Sequence, residues 1–531
     1  MGVTPMRLAY FRTAIVRTPS QIKRLAAFGF VILAFSVPTL ALGDIQQVTG
    51  DDFRTLVKQG DKCVHRGEFI EAEKVYKRAS EISPTNSAVR LKLAMVHLKQ
   101  RHLSEAYDLS FAIAKAEPTN SNAFAVLGAT LLSAGKFREA RTIFINALKL
   151  NKKEALAWAG YGMLDFYENR ILDSLSSLQE AVFFAPNESD YYFALAQVSA
   201  RAERYKEAAD AYYKFLSLSR NTDDDRRARI KGLIAFLRFL GQKQTLYVTQ
   251  GEAETSVPLE IVVNRPVIEL RVNDRPEPLR FVLDTGSGIS VISDKTAKVL
   301  GIEPITRGGF AKGIGGDGKF EIVYGFLKEV NIGEIGIRNV PVYIRKFHTE
   351  GDNIDGYVGL SLISKFLATI DYGEHKFSLT KKDAELVAQA DAGVSLPLRL
   401  TSSGFLSGEV QLEGIEGPLN FIVDTGASVS VISDDVASNN GISAFAKTEK
   451  MRVIGSAGVT DDVPSFLLPR VSFGKHSRKS ITAIALDLDT INEASGFEQA
   501  GILGGNFLRN YRMTFDFKNS KVTFVPISQE K

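Results

Sequence analysis

Cysteine and histidine are scarce in this chain of 531 residues, which has one cysteine, Cys63, and six histidines. A single cysteine excludes an internal disulfide and a cysteine-built zinc site. The histidines at 65, 97, 102, 348, 375 and 476 form no His-Glu-x-x-His or similar spacing, so the sequence gives a metal mechanism nothing to stand on and implies no metal and no cofactor. Net charge is small as well. The 65 Lys and Arg against 61 Asp and Glu leave a formal +4, part of it at the N-terminus, and give no case for a nucleic-acid partner. No Gly-x-Ser-x-Gly elbow and no Ser-x-x-Lys with a matching base cluster occurs, which removes a serine hydrolase. The glycine-rich patterns lie between strand-like runs with no helix after them, so a dinucleotide site is excluded too. What is abundant is core material: apolar residues are 45% of the chain, and its length suits two to four domains.

Long apolar runs are confined to the first 43 residues, where Arg7, Arg12, Arg17, Lys23 and Arg24 precede LAAFGFVILAFSVPTLALG. Pro38 and the small-residue ending Ala41-Leu42-Gly43 suit a cleaved signal peptide, the preferred reading. An uncleaved anchor over residues 25–42 competes with it, since about 18 apolar residues is the lower edge of a membrane span. Either places the remainder outside the cytoplasm, periplasmic or extracellular.

From Phe53 to about Arg220 the sequence is helical in pattern and repeats every 34 residues. Gly60, Ala94, Gly128, Gly162 and Ala196 share one phase; Ala72, Ala106, Ala140, Ser174 and Ala208 share a second. Pro84, Pro118 and Pro186 share a third, with Lys152 the departure, and bulky residues recur at Tyr76, Phe144, Leu178 and Tyr212. Small residues mark close approach of two helices and proline ends the second. This pattern resembles the tetratricopeptide repeat, in five units over 53–220, the second unit weaker at Arg101 and Ser110. The resemblance implies an α-solenoid whose groove takes a protein or peptide partner, with a spacer or dimerisation role as the alternative. Cys63 falls at a packing position and reads as a buried structural thiol. Residues 221–241 read as an amphipathic capping helix and 242–256 as a polar linker.

Beyond Val257 the patterning turns to short β-branched runs broken by Gly, Asn-Asp and Pro, and it occurs twice, over 257–382 and 394–527, with a connector at 383–393. LRFVLDTGSGISVIS (279–293) recurs without a gap as LNFIVDTGASVSVIS (419–433), which sets Asp284-Thr285-Gly286 over Asp424-Thr425-Gly426. The apolar run before each aspartate reads as a buried strand ending at the carboxylate. The match also covers GYVGLSLISKFLATIDY (356–372) and GILGGNFLRNYRMTFDF (501–517), where Gly359 meets Gly504 and Asp371 meets Asp516. Those two later aspartates read as turn or edge positions.

Each copy resembles a retropepsin-type aspartic protease domain: an Asp-Thr-Gly-[Ser/Ala] loop, a glycine-containing flap hairpin, and an apolar-apolar-Gly element, Tyr357-Val358-Gly359 or Ile502-Leu503-Gly504. The resemblance implies a bilobal all-β pseudo-dimer fused behind the solenoid, with Asp284 and Asp424 as the catalytic pair. Thr285 and Thr425 would then bond across the interface, and the active-site loops would be completed by Gly286, Ser287, Gly426 and Ala427. The flaps are assigned to Gly313, Ile314, Gly315 and Gly316 and to Ile454, Gly455 and Ser456, and four glycines from 313 to 318 make the first the more mobile. Two carboxyls held together cannot both ionise, so they share a proton and supply base and acid at once to a water attacking a peptide bond. A Ser287 hydroxyl beside Asp284 would make Asp284 the more easily ionised partner. The function implied is an endopeptidase acting on peptide or protein substrates without metal or covalent intermediate. The alternative is a scaffold in which the solenoid is the working part and the β domains bind peptides without cutting them.

Overall fold

The computed structural model describes residues 50–219, 223–243, 245–316, 318–348, 353–382 and 393–527. The expected signal segment and nearly all of the connector at 383–393 lie outside the described residues. Two compact units are present, one ending at Ile113 and one beginning at Ala114.

Among the described residues before 220, ten helices follow one another as five helix–turn–helix units: α1 (Gly50–His65), α2 (Phe69–Ile82), α3 (Ser87–Lys99), α4 (Leu103–Ala116), α5 (Ser121–Ser133), α6 (Phe137–Leu150), α7 (Ala155–Tyr167), α8 (Ile171–Phe184), α9 (Ser189–Arg201) and α10 (Tyr205–Leu218). The 34-residue phases have a direct physical basis. A side chain begun at Gly128 on α5 would come 2.7 Å from the Phe144 ring on α6, and Gly60 with Tyr76 and Gly162 with Leu178 repeat the relationship. Asn86 and Asn120 cap α3 and α5 by accepting from Val89 N and Ala123 N. The turn inside each hairpin takes positive φ at Gly67, Arg101, Gly135, Asn169 and Glu203, again 34 apart. Arg101 therefore holds a left-handed conformation that glycine would adopt at no steric cost, at a cost of about 1–2 kcal/mol. Ser110, standing where other units have a bulky residue, is buried and bonds back to Ala106 O at 2.7 Å. Cys63 is buried beside Tyr76 and Val89.

The β half forms two lobes of one plan. In the first, the strand Leu279–Leu283 pairs with Arg265–Val272 on one side and runs parallel to Gly356–Val358 on the other. Gly356–Val358 in turn pairs with Ser290–Ser293, so it lies between the strands that enter and leave the Asp284 loop. Leu419–Val423, Gly501–Leu503 and Ser430–Ser433 repeat the arrangement around Asp424. A six-stranded sheet joins the lobes, with Phe366–Asp371 against Tyr511–Asp516 in antiparallel register at its centre. Asp371 accepts from Gly373 N and Glu374 N, and Asp516 accepts from Asn519 N, so both hold turns.

The segment expected as a linker differs. Val248–Gly251 adds to the first lobe's sheet beside Ile335–Arg345, Glu254–Pro258 is the edge of the joining sheet, and Leu246 and Tyr247 are buried in the core. Its polarity is that of edge strands with one wet face, not of a free tether.

Within the second unit the helices dock on the lobes through their intra-hairpin turns. Phe137 and Tyr167 close on Phe497 with centroids 4.9 and 5.0 Å apart, and Arg399 lies 4.5 Å over Phe137. Asn169 donates to Phe517 O and Ser520 Oγ, Arg201 donates to Thr401 O at 2.7 Å, and Glu203 pairs with Lys365. The helix that follows the repeats, α11 (Asp224–Gly241), packs on α10 and also on the first lobe, where Phe236 stacks on Tyr324 at 4.4 Å.

Candidate active site

Each Asp-Thr-Gly loop follows a strand with three buried residues at its end, Phe281-Val282-Leu283 or Phe421-Ile422-Val423, which fixes where the carboxylate emerges. Asp284 N donates to Val358 O and Asp424 N to Leu503 O, both at 3.0 Å. The apolar-apolar-Gly elements thereby hold both loops. A side chain at Gly359 would come 2.6 Å from the Ile289 backbone, and one at Gly504 would come 2.7 Å from Val429. Ser290 Oγ accepts from Gly359 N and Ser430 Oγ from Gly504 N, both at 3.1 Å.

The two loops interlock through their threonines, both fully buried. Thr285 Oγ1 donates to Val423 O and Thr425 Oγ1 to Leu283 O, each at 2.6 Å, while each backbone N–H donates to the other's hydroxyl at 3.1 Å. This symmetric set brings the aspartates together. A Cβ on Gly286 would lie 2.5 Å from Asp424 Oδ2, and one on Gly426 would lie 2.7 Å from Asp284 Cγ.

Burial raises both carboxyls above the ordinary range, and Asp284 rises well above it because the Asp424 charge and hydrogen bond add to the effect. Asp424 is pulled back by the hydrogen bond from Asp284 and by backbone N–H groups. The donors explain the split: Asp424 Oδ1 takes Gly426 N at 2.7 Å and Ala427 N at 3.1 Å, whereas Asp284 Oδ1 takes Gly286 N alone at 2.9 Å. The expectation built on Ser287 is therefore corrected. Its hydroxyl donates to Ile289 O at 2.7 Å instead of to Asp284, so Asp424 is the more easily ionised partner.

The two hairpin tips meet each other. Ile314 O accepts from Ala457 N at 2.8 Å, Ile314 N donates to Ser456 Oγ at 3.2 Å, and Gly316 N donates to Val459 O at 3.1 Å. Gly455 is close-packed against Ile314, and Gly315 lies against Gly458, where a side chain has no room. Gly313 closes its own hairpin by donating to Gly318 O. Ile314 joins an apolar cluster of the second lobe that includes Ile422, Val431 and Ile502, while Ile454 is exposed. The expectation of a freer first hairpin also runs against the contacts, because α11 packs on its first strand, Thr306–Lys312, and Arg229 Nη1 donates to Phe310 O at 3.0 Å.

Arg345 escaped sequence reasoning. It ends the strand Ile335–Arg345, stacks 4.1 Å over Phe320, and donates from Nη2 to Ser456 O at 2.6 Å. Its charge also lowers Asp284, though less than burial and Asp424 raise it. A lone arginine closing an apolar strand gives no sequence signal that it reaches the opposite flap.

Residues 268–362 and 408–507 match the family described as Aspartyl protease, and residues 64–130 and 162–225 match families described as Tetratricopeptide repeat. The chain joins tetratricopeptide repeats to a retropepsin-like aspartyl protease domain carried in two segments. It is similar to the BBSome complex member BBS4 homolog of Drosophila melanogaster, with 23% identity over 223 residues, 39% of this chain and 46% of that protein. It is also similar to BBSome complex member BBS4 of Bos taurus, with 25% identity over 168 residues, 32% of this chain and 31% of that protein. The chain thus spans less than half the length of these relatives. The aspartic proteinase from Irpex lacteus aligns at 14% identity and a TM-score of 0.36, covering 52% of this chain and 98% of that one.

Proposed function

We propose that the protein is an aspartic endopeptidase whose catalytic pair is Asp284 and Asp424. The observation that carries this reading is the symmetric apposition of the two aspartates, each facing the other loop's glycine and locked by the threonine exchange. Asp424, richer in N–H donors, carries the charge and takes the proton from a water held between the carboxyls. Asp284, held protonated, gives its proton to the carbonyl oxygen of the peptide bond. As the tetrahedral intermediate collapses, the proton taken up by Asp424 passes to the leaving amine and Asp284 regains its own. The flaps close over an extended peptide and exclude water.

Tetratricopeptide repeats are protein-interaction modules, and we assign the solenoid to recruiting the substrate or a partner. The basic and apolar start of the sequence supports a site of action outside the cytoplasm. The deciding experiment assays Asp284→Asn and Asp424→Asn on a peptide library from about pH 3 to about pH 7, spanning ordinary and raised carboxyl values. Cleavage by the parent protein that is lost in both variants supports the dyad. Full activity in either variant, or none in the parent, rejects it in favour of peptide binding without cleavage.

A further inference from the structure

The first unit holds a cluster that the aspartate chemistry does not use. Glu73 on α2, His97 near the end of α3 and His102 at the end of the turn into α4 offer ligand atoms that all lie within 4.8 Å of one another. His97 is 4% exposed, and its Nδ1 is buried with no hydrogen-bond partner among the described residues. A buried unpaired imidazole nitrogen is costly and calls for a partner. The two imidazoles are held in place. Their centroids are 5.8 Å apart, and His102 N donates to His97 O at 2.9 Å, which fixes the turn between them. Gln100 Nε2 donates to Glu73 Oε2 at 2.8 Å, the kind of outer bond that orients a ligating carboxylate. His102 and Gln100 also line an open depression at the surface, which gives an ion a way in.

We propose that Glu73, His97 and His102 form a binding site for a divalent transition metal of the zinc class, clipping the first repeat to the second. Two imidazole nitrogens and one carboxylate make a borderline donor set suited to zinc, cobalt or nickel; the site has too few oxygens for calcium or magnesium and no thiolate for soft ions. Three protein ligands leave a fourth position for water. The neighbouring ammonium of Lys77, 2.5 Å from Glu73 Oε1, opposes the ion and sets an upper limit on affinity. The sequence hid the site because Glu73 lies 24 residues before His97, on a different helix.

The full chain, stripped with chelator and dialysed, is titrated with Co2+ followed by its visible spectrum and with Zn2+ followed by calorimetry and thermal melting. One equivalent per chain, a tetrahedral cobalt spectrum and a rise in Tm with zinc are expected. His102→Ala and Glu73→Gln, both at partly exposed positions, should weaken binding by roughly tenfold or more. Lys77→Gln should tighten it, a gain of function that a misfolded protein cannot mimic. Absence of saturable Co2+ or Zn2+ binding, or binding unchanged by His102→Ala, overturns the proposal. Asp284→Asn should leave the titration unchanged; loss of metal there would place the ion at the aspartates instead and overturn it equally.

Discussion

Gly286 faces the carboxylate of Asp424 so closely that a Cβ on it would lie 2.5 Å from Oδ2, and Gly426 faces Asp284 in the same way. Each glycine is thus part of the opposite aspartate's pocket wall. Gly286→Ala and Gly426→Ala should each reduce kcat/KM by about a hundredfold or more, the scale of a displacement of about 1 Å at a reacting group. Peptide cleavage assays check this, and parental activity in either variant would contradict the close apposition.

The threonine exchange should matter to stability as well as to activity. Thr285→Val removes the donor to Val423 O and the acceptor for Thr425 N, leaving buried partners unmade at about 1–3 kcal/mol each. Thr285→Ser keeps the hydroxyl and should retain most of both properties. Urea unfolding of the two variants, with the Thr425 pair measured in parallel, distinguishes loss of the bond from loss of the methyl group. Equal destabilisation by Val and Ser would mean that packing, not the hydroxyl, locks the loops.

The aspartates also set a pH dependence with a definite sign. Both have folded values above the unfolded value of about 3.9. Below that value both states are protonated and the pair carries no penalty. As pH rises, the unfolded chain ionises first, so stability falls through the window from about 3.9 up to the raised value of Asp284 and then levels off. Asp284→Asn removes the larger part of this fall and should melt higher than the parent at neutral pH but near it at pH about 4. Melting curves across that range check the sign. In activity, the acid limb follows Asp424 and the alkaline limb Asp284, and the apparent values belong to the pair.

Much of this site was legible in the sequence because it rests on duplication. Two fifteen-residue stretches in matched contexts located Asp284, Asp424 and their threonines, and the 34-residue period located five helical hairpins. What stayed hidden depends on tertiary contact. The destination of the Ser287 hydroxyl is decided by where Ile289 O lies, and the reach of Arg345 depends on a hairpin more than a hundred residues away. The polar run 242–256 read as linker because edge strands alternate wet and dry residues too briefly to give a period.

The grip of α11 on the first flap predicts a coupling between solenoid and site. Gly232 leaves no space: a Cβ there would lie 2.5 Å from Arg307 O and from the Gly308 Cα. Gly232→Ala should raise the helix propensity of α11 by about 1 kcal/mol while forcing it off the hairpin. The expected result is faster amide exchange over residues 306–312 and a higher KM, with α11 still protected. Unchanged exchange in the hairpin would show that α11 does not restrain it.

Arg345 should act as a positioning residue in two separable ways. Its Nη2 holds the Ser456 carbonyl and so ties the second flap tip, and its charge lowers the proton affinity of Asp284. Arg345→Lys keeps the charge but loses the planar stack on Phe320 and the fixed donor geometry. It should raise KM with the alkaline limb of the pH profile unmoved. Arg345→Met loses both roles, so it should raise KM and also shift that limb to higher pH, because Asp284 then binds its proton more tightly. Full pH profiles of kcat/KM for the two variants separate the roles. A limb that stays put in Arg345→Met would show that the guanidinium serves the flap alone.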